Sequence, residues 1–289
     1  MTNLALGTVQ FGTSYGVSNK SGQTPFNEVK KILALAKEND INILDTAIAY
    51  GDSEAVLGKS GAEDFKIISK LPEVPDDCQD IAHWVNNEIH KSLERLGVKR
   101  LYGVLLHRPA QLLEPIGFAL YDALQGIKEQ GISLKIGVSI YEPVELDALF
   151  DIYSLDIVQA PLNILDRTLV ESGWASRLHT AGVEVHARSV FLQGLLLLPP
   201  EERPNKFNRW NNVWRVWDGW LEQEGLSPLQ ACLRYVAHLS QIDAVVVGSN
   251  TAAQLIQIIE AVEGELHTLP EFPRLKDKRL FNPASWYQL

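Results

Sequence analysis

The chain has 289 residues, 46% of them hydrophobic and 21% charged, which supports a large buried core and excludes disorder for most of its length. Its formal net charge of -10, with no run of Lys or Arg to make a local exception, excludes nucleic acid and an anionic membrane surface as expected partners. The two cysteines, Cys78 and Cys232, lack the spacing of a zinc or redox pair, so no metal is expected and free thiols in a reducing compartment are.

Met1 to Gly12 contain no basic segment leading into a long apolar run, and no stretch of about 18 apolar residues occurs anywhere, so the expected location is the cytoplasm. In chain order, short apolar runs are each followed by a stretch with helical spacing. The expected strands are Leu4–Gly7, Ile41–Asp45, Lys66–Ser69, Leu101–Leu106, Leu134–Val138, Leu155–Gln159, Val183–Ala187 and Ala244–Val247. Most are almost continuously apolar, as strands covered on both faces must be. The expected helices are Pro25–Glu38, Ile81–Leu96, Ile116–Gln130, Pro143–Phe150, Thr168–Thr180, Pro228–His238 and Thr251–Val262. The first carries Val29, Ile32, Leu33 and Ala36 on one face, with Pro25 at its start.

Eight strands with interleaved helices predict an α/β fold of the (β/α)8 TIM-barrel kind, one domain over residues 1–289. An open doubly wound sheet would carry a glycine-rich fingerprint after its first strand, and Gly7-Thr8-Val9-Gln10-Phe11-Gly12 does not fit it. One insertion interrupts the repeat, from Leu197 to about Leu226. It holds Pro199, Pro200 and Pro204 and four of the seven tryptophans, Trp210, Trp214, Trp217 and Trp220. Their spacing sets them along one side of a helix, read as an aromatic stripe packed on the barrel or, alternatively, as a wall facing the substrate.

Barrel chemistry gathers at the C-terminal ends of the strands, so polar residues standing just after apolar runs are the candidates. Asp45 ends the second run, Tyr50 follows in the next loop, Lys70 ends the third run and His107 the fourth. Each alone has an ordinary structural explanation. Together they stand on three successive strands, whose ends can converge.

Leu44-Asp45-Thr46-Ala47 leading to Tyr50-Gly51, then Ser69-Lys70, then Leu106-His107-Arg108-Pro109, resembles the catalytic tetrad pattern of the aldo-keto reductase superfamily. The resemblance runs from Leu6-Gly7-Thr8 to Val247-Gly248-Ser249. It implies a reductase of an aldehyde, ketone or sugar carbonyl that takes hydride from NADP(H), with NAD(H) as the alternative. In this chemistry hydride addition leaves an alkoxide that must be protonated as it forms. Tyr50 would be the donor, helped by the Lys70 ammonium. Asp45 would hold Lys70, and His107 would hydrogen-bond the carbonyl oxygen or relay the proton.

The same resemblance implies the cofactor contacts: Gly7 and Thr8 at the first strand, Ser139 and Gln159 on the nicotinamide carboxamide, and Gly248, Ser249, Asn250 and Thr251 at a helix N-terminus suited to an anion. The sequence departs from the family pattern in four places. Ile140 replaces an asparagine, and Arg188, followed by Ser189, replaces the stacking aromatic. Gln254 stands for the arginine that holds the adenosine 2′-phosphate, and Gln257-Ile258 for a Glu-Asn pair. Arg188 could stack on the cofactor, attract an anionic substrate or the pyrophosphate, or form a simple salt bridge. Asn163 is read as structural. The expected partner is a small-molecule carbonyl compound, and the expected assembly a monomer or small homo-oligomer. Two other readings stay open: a cofactor-binding regulatory protein, and a sugar epimerase or dehydratase that uses nicotinamide transiently.

Overall fold

The computed structural model describes residues 3–275 and 277–289. Eight parallel strands close in sequence order into a barrel: β1 Leu4–Gly7, β2 Ile43–Asp45, β3 Lys66–Leu71, β4 Leu101–Leu106, β5 Ser133–Ser139, β6 Ile157–Pro161, β7 Glu184–Arg188 and β8 Ala244–Gly248. Closure is by β1 pairing with β8, Leu4 opposite Val245 and Gly7 opposite Gly248. The eight-stranded barrel is therefore the fold that the alternation of apolar runs predicts. Among the described residues no helix is long and apolar enough to cross a membrane.

Inside the barrel Ile68, Leu105 and Ile157 form a small separate cluster, joined by Ile43 and Tyr102. The larger core lies between the strands and the surrounding helices. Because side chains alternate along a strand, β3 sends Ile68 and Lys70 inward and Ile67, Ser69 and Leu71 toward the helices. That alternation delivers the lysine into the barrel at its C-terminal end.

Three expectations need correction. The second strand starts at Ile43 rather than Ile41, because Ile41 is still closing the preceding helix, its N–H donating to the Ala36 carbonyl at 2.9 Å. The sixth begins at Ile157 rather than Leu155. Asp156 there is a cap, its carboxylate accepting from the Ile136 N–H at 2.9 Å and from Lys128 at 2.7 Å. The single helix expected over Thr168–Thr180 is two, Thr168–Glu171 and Trp174–Thr180, parted by Gly173 in the left-handed region with φ of 83°. Two helices, Val9–Gly12 and Ser53–Lys59, have no counterpart in the sequence reading.

The tryptophan-rich segment resolves in favour of the packed stripe. The helix Asn211–Glu224 buries Trp214, Trp217 and Trp220, with Trp210 just before it equally buried, and none of the four lines the main cavity. Three of the indole N–H groups find oxygen acceptors: Trp210 on Asp277 O, Trp214 on Phe207 O and Trp220 on Thr268 Oγ1.

Candidate active site

At the C-terminal mouth of the barrel lies a cavity of about 500 Å³, lined by Asp45, Tyr50 and His107 from β2 and the segments after β2 and β4, and on the β8 side by Gly248, Ser249, Asn250, Gln254 and Gln257. Lys70 lies behind Asp45, 1% exposed. Its ammonium donates to Asp45 Oδ1 at 2.7 Å, to Oδ2 at 2.8 Å and to the Thr46 carbonyl at 2.9 Å. All three protons of the ammonium are thus engaged, as burial of a charge requires. Burial alone would depress the Lys70 pKa, but Asp45 and then Tyr50 outweigh it, and the pKa lies above the ordinary value. Lys70 is a permanent cation here, with Nζ 5.1 Å from the centre of the Tyr50 ring.

Tyr50 owes its place to tight backbone packing beneath it. A turn closes from the Tyr50 N–H to the Ala47 carbonyl at 3.0 Å, and the short helix Val9–Gly12 after β1 comes so near that a Cβ on Gly12 would stand 1.9 Å from the Tyr50 backbone carbonyl oxygen. Only glycine fits there. The missed helix Ser53–Lys59 supplies the rest of the support. Ser53 Oγ bonds the Thr8 carbonyl and Thr8 Oγ1, each at 2.9 Å, and the buried Glu54 carboxylate accepts from Ser69 at 2.6 Å, Ser92 at 2.6 Å and Arg95 at 2.7 Å. Thr8 Oγ1 in turn donates to the Asp45 carbonyl at 3.0 Å.

His107 meets Tyr50 edge to face, ring centres 5.9 Å apart with an angle of 77° between them. Burial first, then Lys70 and Arg188, push its pKa from 6.5 to about 4, so the imidazole is neutral at physiological pH. On the other side of Asp45, Gln159 Nε2 donates to Oδ1 at 2.6 Å, and Gln159 Oε1 accepts from Ser139 Oγ at 3.1 Å. The carboxamide-binding pair expected from the resemblance is thereby tied into the same network as the tetrad.

Arg188 shows no salt bridge among the described residues, which removes that reading of it. Nη2 donates to the Ile140 carbonyl at 2.8 Å and Nη1 to Ser189 Oγ at 3.1 Å, while the guanidinium stands 4.9 Å from the Tyr141 ring centre. Ser189 and, further on, Leu192 and Gln193 all sit in the left-handed region, with φ of 60°, 49° and 54°. Three non-glycine residues in that conformation mark a constrained loop along the cavity wall.

Of the residues expected to hold the cofactor, Gly7, Thr8, Ser139, Gln159, Arg188, Ser189, Gly248, Ser249, Asn250, Gln254 and Gln257 all line the cavity, and Thr251 does not. Thr251 instead caps the helix Ala252–Ala261, its hydroxyl accepting from the Gln254 N–H at 3.1 Å. Gln254 folds back so that its Oε1 accepts from the Asn250 N–H at 2.7 Å. The Ala252 N–H is taken by Glu28 Oε1 at 2.9 Å, a contact across 224 residues that the sequence reading did not anticipate. Gln10, on the short helix Val9–Gly12, and Tyr15 and Asn19, in the loop that follows it, also line the cavity and were likewise missed, having no periodicity to mark them.

Ser249 Oγ, Asn250 Oδ1 and Gln10 Oε1 are buried without a hydrogen-bond partner among the described residues. Buried polar atoms are rarely left so. Their grouping on the β8 side of the cavity, beside a helix N-terminus, fits a polar ligand with many hydrogen-bonding groups such as a dinucleotide.

A family model described as the aldo/keto reductase family matches residues 3–276. A chloroplastic pyridoxal reductase from Arabidopsis thaliana is 31% identical over 139 residues, covering 43% of this chain and only 38% of that protein. An aldo-keto reductase from Mycolicibacterium smegmatis is 28% identical over 227 residues, 76% of this chain and 74% of that protein. Among solved structures, the holo form of an aldo-keto reductase from Bacillus halodurans matches with a TM-score of 0.73 at 21% identity, over 92% of this chain and 88% of that one, a likeness of fold. With the family model spanning nearly the whole chain, the protein belongs to the aldo/keto reductase family, oxidoreductases that act on carbonyl groups.

Proposed function

We propose that the protein reduces the carbonyl group of a small molecule with NADPH or NADH, with Tyr50 as the proton donor. The observation that carries this reading is the buried, doubly bonded Asp45–Lys70 pair beside Tyr50, whose ring lines the cavity. A bound reduced nicotinamide supplies the hydride. Tyr50 gives its phenolic proton to the carbonyl oxygen as negative charge develops there. Lys70, held cationic by Asp45, stabilises the phenolate that remains. His107, neutral with a pKa of about 4, offers an N–H to the same oxygen and orients it, which favours a hydrogen-bonding role over a proton relay. Ser139 and Gln159, aligned by each other and by Asp45, would hold the nicotinamide carboxamide. Ser249, Asn250 and Gln10 would receive the polar groups at the far end.

The far end also bears on cofactor choice. Glu28 places a carboxylate on the first turn of the helix Ala252–Ala261, where an extra phosphate would gain most from the amides. The Ala252 amide, and Lys31 after it, hold the Glu28 carboxyl below the usual carboxylate range, so it is ionised. With Gln254 bonded to the backbone and no arginine in its place, the 2′-phosphate of NADPH gains little. The reading is therefore that both cofactors serve, with affinities within about tenfold of each other.

Tyr50→Phe tests the assignment. It is expected to lower kcat by about 10²–10⁴-fold while the Kd for reduced cofactor, read from tryptophan fluorescence, changes little. Retained turnover sinks the role given to Tyr50.

A further inference from the structure

The charges that face the cavity do not cancel. Among the described residues two fully charged side chains line it, Asp45 and Arg188. Asp45 is neutralised by Lys70, to which both of its oxygens are bonded. His107 is neutral at physiological pH. What remains among the described residues is one positive charge, Arg188, in a protein whose net charge is -10. Of the five N–H donors of its guanidinium, two are engaged, and both acceptors are neutral: the Ile140 carbonyl and Ser189 Oγ.

The direction of the side chain tells which end of the cavity it serves. Arg188 ends β7, whose neighbours are β6 and β8. The guanidinium does not lean toward β8, where Ser249 and Asn250 lie. It reaches past β6 to the residue after β5, Ile140, and rests on the ring of Tyr141. β5 is paired with β4, the strand that ends at His107, and the Arg188 charge is felt at His107. The guanidinium is therefore part of the wall near the reacting groups, fixed in plane by the Tyr141 ring on one side and two hydrogen bonds at its edge. A planar fork held this way, with donors in excess, suits a carboxylate or phosphate oxygen pair.

We propose that the physiological substrate is a carbonyl compound bearing an oxyanion, carboxylate or phosphate, which Arg188 binds while the carbonyl faces Tyr50 and His107. This rests on the reductase reading and narrows it to a substrate class. The neutral lining elsewhere leaves one anchoring point, so the anion fixes which end of the molecule enters first.

The test compares anionic carbonyls with neutral partners of similar size at saturating cofactor: 4-carboxybenzaldehyde against methyl 4-formylbenzoate, and glycolaldehyde phosphate against glycolaldehyde. Wild type is expected to show kcat/KM at least tenfold higher for the anionic member of one or both pairs. Whichever pair shows the larger ratio identifies carboxylate or phosphate. Arg188→Met should bring that ratio close to one, and Arg188→Lys should restore part of it. The ratio is the readout because a change in cofactor placement affects both members of a pair alike.

A wild-type ratio near one, with the neutral aldehydes turned over, overturns the proposal and leaves the reductase reading standing. So does an unchanged ratio in Arg188→Met accompanied by a cofactor Kd weakened more than tenfold, which would assign the guanidinium to the dinucleotide. Failure of wild type to reduce any of the four compounds, with cofactor bound, counts against both readings.

Discussion

At the end of the cavity where β2, β3, β5 and β6 contribute, every polar side-chain atom of the Asp45–Lys70–Gln159–Ser139 network has a protein partner within 3.1 Å. At the end formed by β8, Ser249, Asn250 and Gln10 bury polar atoms that have none among the described residues. The first set is satisfied within the protein, and under the proposed function the second would be completed by the cofactor. Under the proposed reaction the contrast would follow a division of labour. Groups that meet developing charge must not reorganise at the moment of reaction, whereas groups that hold a ligand through many contacts can wait for it.

Disturbing the finished end should therefore cost stability as well as activity. Lys70→Met leaves the Asp45 carboxylate buried without its counter-ion and should destabilise the fold by about 3–5 kcal/mol. Chemical denaturation of wild type and variant measures this, and a loss under about 1 kcal/mol would show that the pair is not closed from solvent in the way its geometry implies.

A smaller effect at the same end depends on pH. Because the folded pKa of His107 is about 4 against 6.5 for the free side chain, the unfolded chain binds the extra proton between those values. Stability contributed by keeping this ring neutral is full above about pH 6.5 and falls as the pH drops toward 4. With partial exposure discounted, wild type at pH 5 should have lost about 1 kcal/mol more, relative to pH 7, than His107→Gln. Equal losses in the two proteins would place the His107 pKa near its ordinary value and return the proton-relay role to it.

The open end should tolerate change with little cost to folding. Glu28→Gln removes a carboxylate from the helix terminus and should shift the NADPH-to-NADH affinity ratio toward NADPH by about 2–5-fold, with the thermal midpoint little moved. Parallel fluorescence titrations of the two cofactors decide it. A shift toward NADH would mean that Lys31, released from Glu28, does not compensate and that the carboxylate aids phosphate binding indirectly.

The same two ends differ in how far they were legible in the sequence. Asp45, Tyr50, Lys70 and His107 stand where apolar runs stop, and strand alternation converts that position into convergence. The support beneath them was hidden. Ser53 and Glu54 are polar, so the helix they open has no apolar face at its start, yet both are buried against other polar groups. At the β8 end the motif was visible but its completion was not. The partner of Ala252 is Glu28, brought there only by closure of the barrel, and Thr251 proved to be a helix cap instead of a wall of the cavity. The strands themselves were found because burial on both faces leaves a continuous apolar signature. Their ends slipped where a polar cap such as Asp156, or a tight turn such as Ile41, interrupts the simple pattern.

Central to the account is net transfer of hydride from cofactor to a substrate carbonyl. The most direct test uses reduced nicotinamide cofactor carrying deuterium on both hydrogens at C4, with mass spectrometry of the alcohol formed by wild type. One deuterium per product molecule is expected, on the former carbonyl carbon, with one cofactor oxidised per turnover. A product without deuterium, formed with no net change in the cofactor, would contradict it and point to an epimerase or dehydratase on the same barrel.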